Sequence, residues 1–188
     1  MIILLGESGV GKSVIRQTLC KNYGYDKVIS CTTRLPRLNE INGKDYYFIT
    51  KEEFSTKIQN QEFVEYSIYK EDFYGILKSE FNKKGIIIME PLGFYKIKQL
   101  LKTDKKSNEI TSFLLIATEQ ERGKRMLKRG DGLLTISNKI TEDKKHFNIA
   151  KLIEETNFAL NTEKYSVDEL ACFIHLLYNN QKTIRKDK

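Results

Sequence analysis

Residues Gly6-Glu7-Ser8-Gly9-Val10-Gly11-Lys12-Ser13 constrain this chain more than any other stretch. They follow the apolar run Ile2-Ile3-Leu4-Leu5, which is too short to span a membrane and suits a buried parallel strand. They precede Val14 to Cys20, where apolar residues recur at helical spacing. Strand, glycine-rich loop and helix in that order are the setting in which G-x-x-x-x-G-K-[ST] binds phosphate. Gly6, Gly9 and Gly11 let the backbone turn where a side chain would clash, so successive N–H groups can point at phosphate oxygens. The helix beginning near Gly11 adds the positive end of its dipole. Lys12 supplies a point charge to the β- and γ-phosphates, and the Ser13 hydroxyl is the expected Mg2+ ligand. The whole loop from Gly6 through Glu7, Ser8, Gly9, Val10, Gly11 and Lys12 to Ser13 is therefore the expected ATP-binding element.

A chain of 188 residues can bury a sizeable core, as one domain or as one core with insertions. The net charge of +7 invites a nucleic-acid reading, yet the lysines are spread along the sequence. The basic runs, such as Lys105-Lys106 and the tail Arg185-Lys186-Asp187-Lys188, are short. That balance suits a solvated surface around phosphorylated ligands, and no nucleic-acid partner is expected. Cys20, Cys31 and Cys172 are widely spaced with no C-x-x-C pair, and His146 and His175 are isolated. The pattern argues for reduced thiols and against a disulfide framework or zinc site. With the first strand expected to begin at Met1, no room is left for a signal or transit peptide. The expectation is a soluble cytoplasmic protein, monomer or homodimer, with no membrane partner.

The first helix should end near Gly24, and Lys27-Val28-Ile29-Ser30 reads as a short second strand. Residues 31–43 are rich in polar and turn residues. Tyr46 to Thr50 and Phe63 to Ile68 have the aromatic and β-branched content of strands. Between them Glu52 to Ile58 suits a short helix, with Thr50 as N-cap and Glu53 completing a capping box. Residues 31–79 thus read as a small strand-rich insertion with its own satellite core. The α/β alternation then resumes with a strand over Gly85 to Glu90, a helix over Gly93 to Leu101 and a strand over Ser112 to Ala117. Thr118 opens a helix that runs to about Lys128, and Gly130-Asp131-Gly132 stops it. The next stretch, up to Ser137, reads as a mobile loop, and Asn138 to Glu155 as one long polar helix. Phe158 to Asn161 fits a last short strand and Val167 to Tyr178 an amphipathic helix. Strands alternating with helices predict a parallel sheet with helices on both faces.

A second block, Ser30-Cys31-Thr32-Thr33-Arg34-Leu35-Pro36-Arg37, continues through Glu40 and Asn42-Gly43-Lys44-Asp45-Tyr46. Arg34 and Arg37 stand three apart around a proline-stiffened loop, and each guanidinium can give bidentate hydrogen bonds to a phosphate. Tyr46 and Tyr74 can add phenolic donors. The two blocks, followed by Glu62-Phe63-Val64-Glu65 and Tyr74-Gly75, closely resemble guanylate kinase. That family carries G-x-S-G-x-G-K-S, then S-x-T-T-R-x-P-R-x-x-E-x-x-G-x-D-Y-x-F, then E-F-x-E and Y-G. All are present in order and at family spacing over residues 1–75, and the likeness is looser beyond.

The resemblance implies an α/β P-loop NTPase three-layer fold with a central parallel sheet, a small strand-rich monophosphate-binding insertion and a helical lid. In those terms a single domain has residues 1–30, 80–118 and 157–188 as core, 31–79 as GMP-binding insertion, and 119–156 as lid and following helix. It implies transfer of the ATP γ-phosphoryl group to GMP or dGMP with Mg2+, with Lys12, Arg34, Arg125 and Arg129 acting in catalysis. Arg34, Arg37, Tyr46 and Tyr74 would hold the acceptor's phosphate, and Ser30 and Glu65 would read the guanine edge. Glu90 stands where the family has an aspartate that helps bind guanine and the metal region. A carboxylate accepts from guanine N1–H and the 2-amino group together, a donor set that adenine lacks.

Several positions depart from the family pattern. Ile76 follows Tyr74-Gly75 where Ser or Thr is usual, and Ile88 and Glu90 replace the aspartates of D-x-D. In the lid, Gly130-Asp131-Gly132-Leu133-Leu134 replaces an acidic-threonine segment, and Ile140, with Lys139 beside it, replaces a later arginine. These changes set a second class of function beside the kinase: a guanylate-kinase-like nucleotide-binding or regulatory module with weakened turnover. The intact Lys12 argues for the kinase. A third reading, a kinase for another monophosphate or a nucleic-acid end, is separated by base competition.

Overall fold

The computed structural model describes residues 1–36, 40–69, 71–81, 85–103 and 110–186. Its first elements are β1 (Ile2–Leu5), α1 (Lys12–Tyr23), β2 (Asp26–Lys27), β3 (Cys31–Thr32), β4 (Tyr47–Phe48), α2 (Lys51–Gln59), β5 (Phe63–Tyr69) and β6 (Asp72–Leu77). They are followed by α3 (Lys78–Phe81), β7 (Gly85–Ile88), α4 (Pro91–Thr103), β8 (Thr111–Ile116), α5 (Glu119–Lys128), α6 (Leu133–His146), α7 (Ile149–Glu155), β9 (Phe158–Asn161) and α8 (Val167–Lys186). The elements fall into two compact units. One comprises Met1, Asp26–Ile87 and Leu92–Ser107; the other comprises Ile2–Tyr25, Ile88–Pro91 and Asn108–Lys188. No helix among the described residues is long and apolar enough to cross a membrane.

The second unit is built on β1, whose four side chains are all fully enclosed. A run without a polar face must be covered on both sides, and each such side chain stabilises the fold by roughly 1.5–3 kcal/mol relative to exposure. β1 pairs in parallel with β8, and β8 in parallel with β9. Just past β7, the Met89 N–H donates to the Leu4 carbonyl at 3.1 Å. Helix α8 packs on β8 and on α1. Its buried stripe of Leu170, Ala171, Ile174 and Tyr178 has the helical period expected of a core-facing side. This parallel α/β arrangement bears out the expected fold class, with β1 running directly into the glycine loop.

In the first unit β2 pairs in parallel with β7, and a four-stranded sheet runs in the order β4-β3-β6-β5. β3 is parallel to β4 and antiparallel to β6, which is antiparallel to β5. One face of that sheet carries an aromatic satellite core: Cys31, Phe54 and Phe63, ringed by Tyr47, Ile49, Ile58, Phe73 and Leu77. The Phe54 and Phe63 rings stack with centroids 4.4 Å apart. Burial pushes the Cys31 thiol up to about 11, so it stays a neutral packing group. Helix α2 starts as expected: the Thr50 hydroxyl accepts from Glu53 N–H at 3.1 Å, and the Glu53 carboxylate accepts from Thr50 N–H at 2.8 Å.

Four expectations need correction. The stretch up to Ser137 is not a loop, because α6 begins at Leu133. Gly132 is its extended N-cap, so the residues between α5 and α6 complete the turn, and buried Ile136 anchors the first turn of α6. The long helix over Asn138 to Glu155 is broken. Buried Phe147 leaves helical geometry, and Asn148 caps α7 by accepting from Lys151 N–H at 3.1 Å. The strand at Lys27 to Ser30 covers only Asp26–Lys27, although Val28 N–H still donates to Ile86 O at 3.0 Å; Cys31–Thr32, read as loop, then joins the small sheet. Helix α8 continues past Tyr178 to Lys186.

The capping box yields a direct test. Thr50→Ala removes one of its two bonds and should lower unfolding stability by about 1 kcal/mol, read as a lower urea midpoint at unchanged slope.

Candidate active site

The loop between β1 and α1 is an arch held from behind. Gly6, Gly9 and Gly11 have φ of 142°, 78° and 108°. A Cβ on Gly6 would lie 2.5 Å from Leu115 O, and one on Gly9 would lie 2.7 Å from Arg122 O, so the arch rests directly on β8 and α5. The Lys12 ammonium donates to Gly6 O and, at 3.0 Å, to Glu7 O. Arg125 donates to Val10 O at 3.2 Å and to the Thr162 hydroxyl and carbonyl at 2.9 and 3.0 Å, and the Thr162 hydroxyl itself donates to Val10 O at 3.1 Å. Burial lowers the Lys12 pKa, while Glu90 and Asp143 oppose that shift and favour the charged amine. Ser13 stands in the first turn of α1 with its side chain exposed. The pKa of Glu90 is raised chiefly by desolvation, with Lys12 pulling the other way.

Two residues that carry no motif complete the arch. Arg122 on α5 donates to Ser8 O at 3.1 Å, to Asp143 Oδ2 at 2.8 Å and to Glu7 Oε1 at 3.0 Å. Asp143 on α6 accepts from Ser8 N–H at 2.8 Å and from the Ser8 hydroxyl at 3.1 Å. In a polar helix both look like members of a solvated face. The signal was their phase: Arg122 lies four positions before buried Met126, and Asp143 seven positions after buried Ile136, so both fall on the apolar side of their helix.

The expected lid cations separate into two places. Arg125 is turned to the arch, as described. Arg129 forms a bidentate pair with Asp131, at 3.1 and 2.6 Å, and Lys139 reaches the same carboxylate at 2.7 Å. The Arg129 hydrogen bond, then that of Lys139, holds the Asp131 carboxyl well below the usual carboxylate range.

In the first unit the Arg34 guanidinium lies 5.6 Å over the Tyr46 ring, and Tyr46 meets Tyr74 edge-on with centroids 6.1 Å apart. Arg34 also donates from Nη2 to both carboxylate oxygens of Glu40, at 2.9 and 3.0 Å. Ser30 sits at the turn into β3, its carbonyl accepting from Tyr47 N–H at 2.9 Å. Arg37 lies outside the described residues.

Glu65 is placed by a β-bulge. Phe63 stands opposite Leu77, but Glu65 stands opposite Ile76, so Val64 is an extra residue in β5. Regular alternation would turn Glu65 toward the aromatic core with Phe63; the bulge moves it to the opposite face. Tyr74 and Ile76 alternate with Gly75, so Glu65 shares the face of Tyr74, and Ile76 is its cross-strand neighbour. Gly75 takes the core face, where a Cβ would come within 2.8 Å of the Phe63 ring. Glu65 is 7% exposed, its Oε2 has no hydrogen-bond partner among the described residues, and burial pushes its pKa up to about 7 against the weaker influence of Lys96.

A parallel strand running through an anion-ready arch into a lysine-headed helix defines a P-loop nucleotide-binding protein. A family model described as guanylate kinase matches residues 1–170. A guanylate kinase of Mycoplasmopsis synoviae is 36% identical over 172 residues, covering 84% of this chain and 83% of that one. A guanylate kinase of Clostridium tetani is 32% identical over 167 residues, covering 87% of this chain and 78% of the other. The crystal structure of guanylate kinase from Anaplasma phagocytophilum shares the fold, with a TM-score of 0.66 over 96% of this chain and 85% of that one, at 23% identity. The chain belongs to the guanylate kinase family, whose members are ATP-dependent nucleoside monophosphate kinases.

The raised pKa of Glu65 has a stability consequence. The native state keeps this proton where the unfolded chain has lost it, so stability falls as pH rises from 4.5 to about 7 and is level above. Between pH 4.5 and 8 the protein should lose roughly 3 kcal/mol more than its Glu65→Gln variant, measured by denaturant unfolding at both pH values.

Proposed function

We propose that this chain transfers the γ-phosphoryl group of ATP to GMP or dGMP, giving ADP and GDP or dGDP. The observation that carries the reading is Lys12 seated in an intact P-loop arch in a member of the guanylate kinase family. An oxygen of the acceptor's phosphate forms a bond to Pγ as the bond from Pγ to the β,γ-bridging oxygen breaks, and ADP leaves with that electron pair. Such a transfer needs positioning and charge neutralisation rather than a covalent enzyme intermediate.

The residues Gly6 to Ser13 hold the donor phosphates, with Lys12 countering their charge. Arg34, Arg37, Tyr46 and Tyr74 hold the acceptor phosphate, with Arg34 exchanging its Glu40 partner for the ligand. Ser30 and Glu65 read guanine, and Glu90 supports the base and metal region. Arg125 and Arg129, with Lys139 beside Asp131, close over the transferring group. Residues 31–79 act as the monophosphate-binding insertion and 119–156 as the lid of a single domain whose core is 1–30, 80–118 and 157–188. The Ser13 hydroxyl and Glu90 carboxylate are hard oxygen donors suited to Mg2+, and no cluster of three or more ligating side chains among the described residues forms a cage of its own. Mg2+ would thus be held by these groups and the nucleotide, and when bound it neutralises phosphate charge. The partners are ATP and GMP or dGMP, with no nucleic acid or membrane. The protein is read as a cytoplasmic monomer or homodimer, in keeping with its reduced cysteine thiols.

A coupled assay of ADP formation against a panel of nucleoside monophosphates tests the reaction. Saturable turnover with GMP or dGMP is expected, and Lys12→Ala should reduce it at least a hundredfold; turnover only with AMP or pyrimidine monophosphates would overturn the reading. The protonation of Glu65 supplies a second check. A neutral acid cannot accept both guanine donors, so KM for GMP should climb about tenfold per pH unit below 7, while KM for ATP does not follow it.

A further inference from the structure

Ser8 is held on three sides by two residues from different helices. Its N–H and hydroxyl are bound by Asp143 on α6, and its carbonyl by Arg122 on α5. The same guanidinium holds Glu7, and the backbone of α5 is the floor against which Gly9 lies. Arg122 and Asp143 are 2% and 8% exposed, and the Arg122 Nε has no hydrogen-bond partner among the described residues. A buried ion pair with an orphaned donor is a poor way to gain stability, since apolar residues of similar size serve as well or better. What this pair adds over apolar packing is direction: three fixed bonds to one residue of the arch.

We propose that Arg122 and Asp143 are positioning residues for the phosphoryl donor, fixing Ser8 so that the arch's remaining N–H groups converge on the nucleotide phosphates. The inference rests on the kinase reading for the identity of that nucleotide. Because the Ser8 N–H is committed to Asp143 and the Val10 N–H to the Glu7 carbonyl at 3.4 Å, the anion cradle is made by the loop's other amides. Asp143 also favours the charged form of Lys12, so one carboxylate steadies both the backbone and the cation of the cradle. α5 and α6 meet the loop through these two side chains, so a shift of either helix moves Ser8 directly.

The experiment compares wild type with Arg122→Leu, Asp143→Ala and the double variant R122L/D143A. The readouts are melting temperature, ADP affinity by calorimetry with Mg2+ present, and KM for ATP and for GMP. Arg122→Leu strands the Asp143 carboxylate and Asp143→Ala leaves Arg122 with Glu7 alone, so each should lower the melting temperature and weaken ADP binding and KM for ATP at least tenfold, with KM for GMP within twofold. The double variant, which strands no buried charge of the pair, should recover part of the lost melting temperature but not the ADP affinity. A double variant that binds ADP as wild type does would overturn the positioning role and leave only packing. Should the double variant not fold, Asp143→Asn, which keeps the shape and an acceptor oxygen, should weaken ADP binding at least threefold well below its melting point; wild-type affinity there overturns the proposal. ADP binding does not depend on the acceptor, so wild type that binds ADP yet phosphorylates no GMP would overturn the proposed reaction alone.

Discussion

A loop that turns its N–H groups inward to meet an anion must turn its carbonyl groups outward, and those carbonyls lie inside the protein. Buried carbonyls need donors, and on this constraint the nucleotide half of the molecule depends. Gly6 and Glu7 offer theirs to Lys12, Ser8 to Arg122, and Val10 to Arg125 and Thr162. Every one of these donors except Lys12 comes from a segment far along the chain, so the arch is finished only when β8, α5 and β9 are in place. Three of the four donors are cations. They satisfy the back of the loop, and Arg122 and Arg125 are themselves held there by carboxylates.

The first unit rests on a different device, the separation of the two faces of a small sheet. One face of β5 and β6 is committed to aromatic packing through Phe63, Phe73 and Leu77, with Gly75 making room for the rings. The other carries Tyr74, Ile76 and Glu65. Burial raises the acid's pKa, and apolar Ile76 is its cross-strand neighbour. A serine or threonine there would offer a hydroxyl; with isoleucine, Glu65 Oε2 has no hydrogen-bond partner among the described residues.

Where local chemistry decides, the sequence was readable. The apolar run before Gly6, the capping box at Thr50 and Glu53, and the N-cap at Thr118 all specify their elements without help from elsewhere. Where a few residues gain their state from a distant partner, it was not. β2, β3 and β4 are two residues long and exist through pairing with β7, β6 and each other. The break between α6 and α7 comes from burying Phe147, which local propensity does not register. The same limit hid Arg122 and Asp143 behind helix surfaces rich in charge. The motif residues were legible as a set because they lie close together in sequence; their supporting partners lie more than a hundred positions away.

The extra residue in β5 has an effect beyond the aim of Glu65. β5 is the last strand of its sheet, and a straight edge strand is a template on which a second chain can add itself. The bulge at Val64 interrupts that edge and increases its twist, and the Lys96 amine occupies the Tyr66 carbonyl two residues on. A strand rich in Phe, Val, Tyr and Ile is thereby kept from recruiting copies of itself, so the irregularity that orients one carboxylate also guards the protein against aggregation.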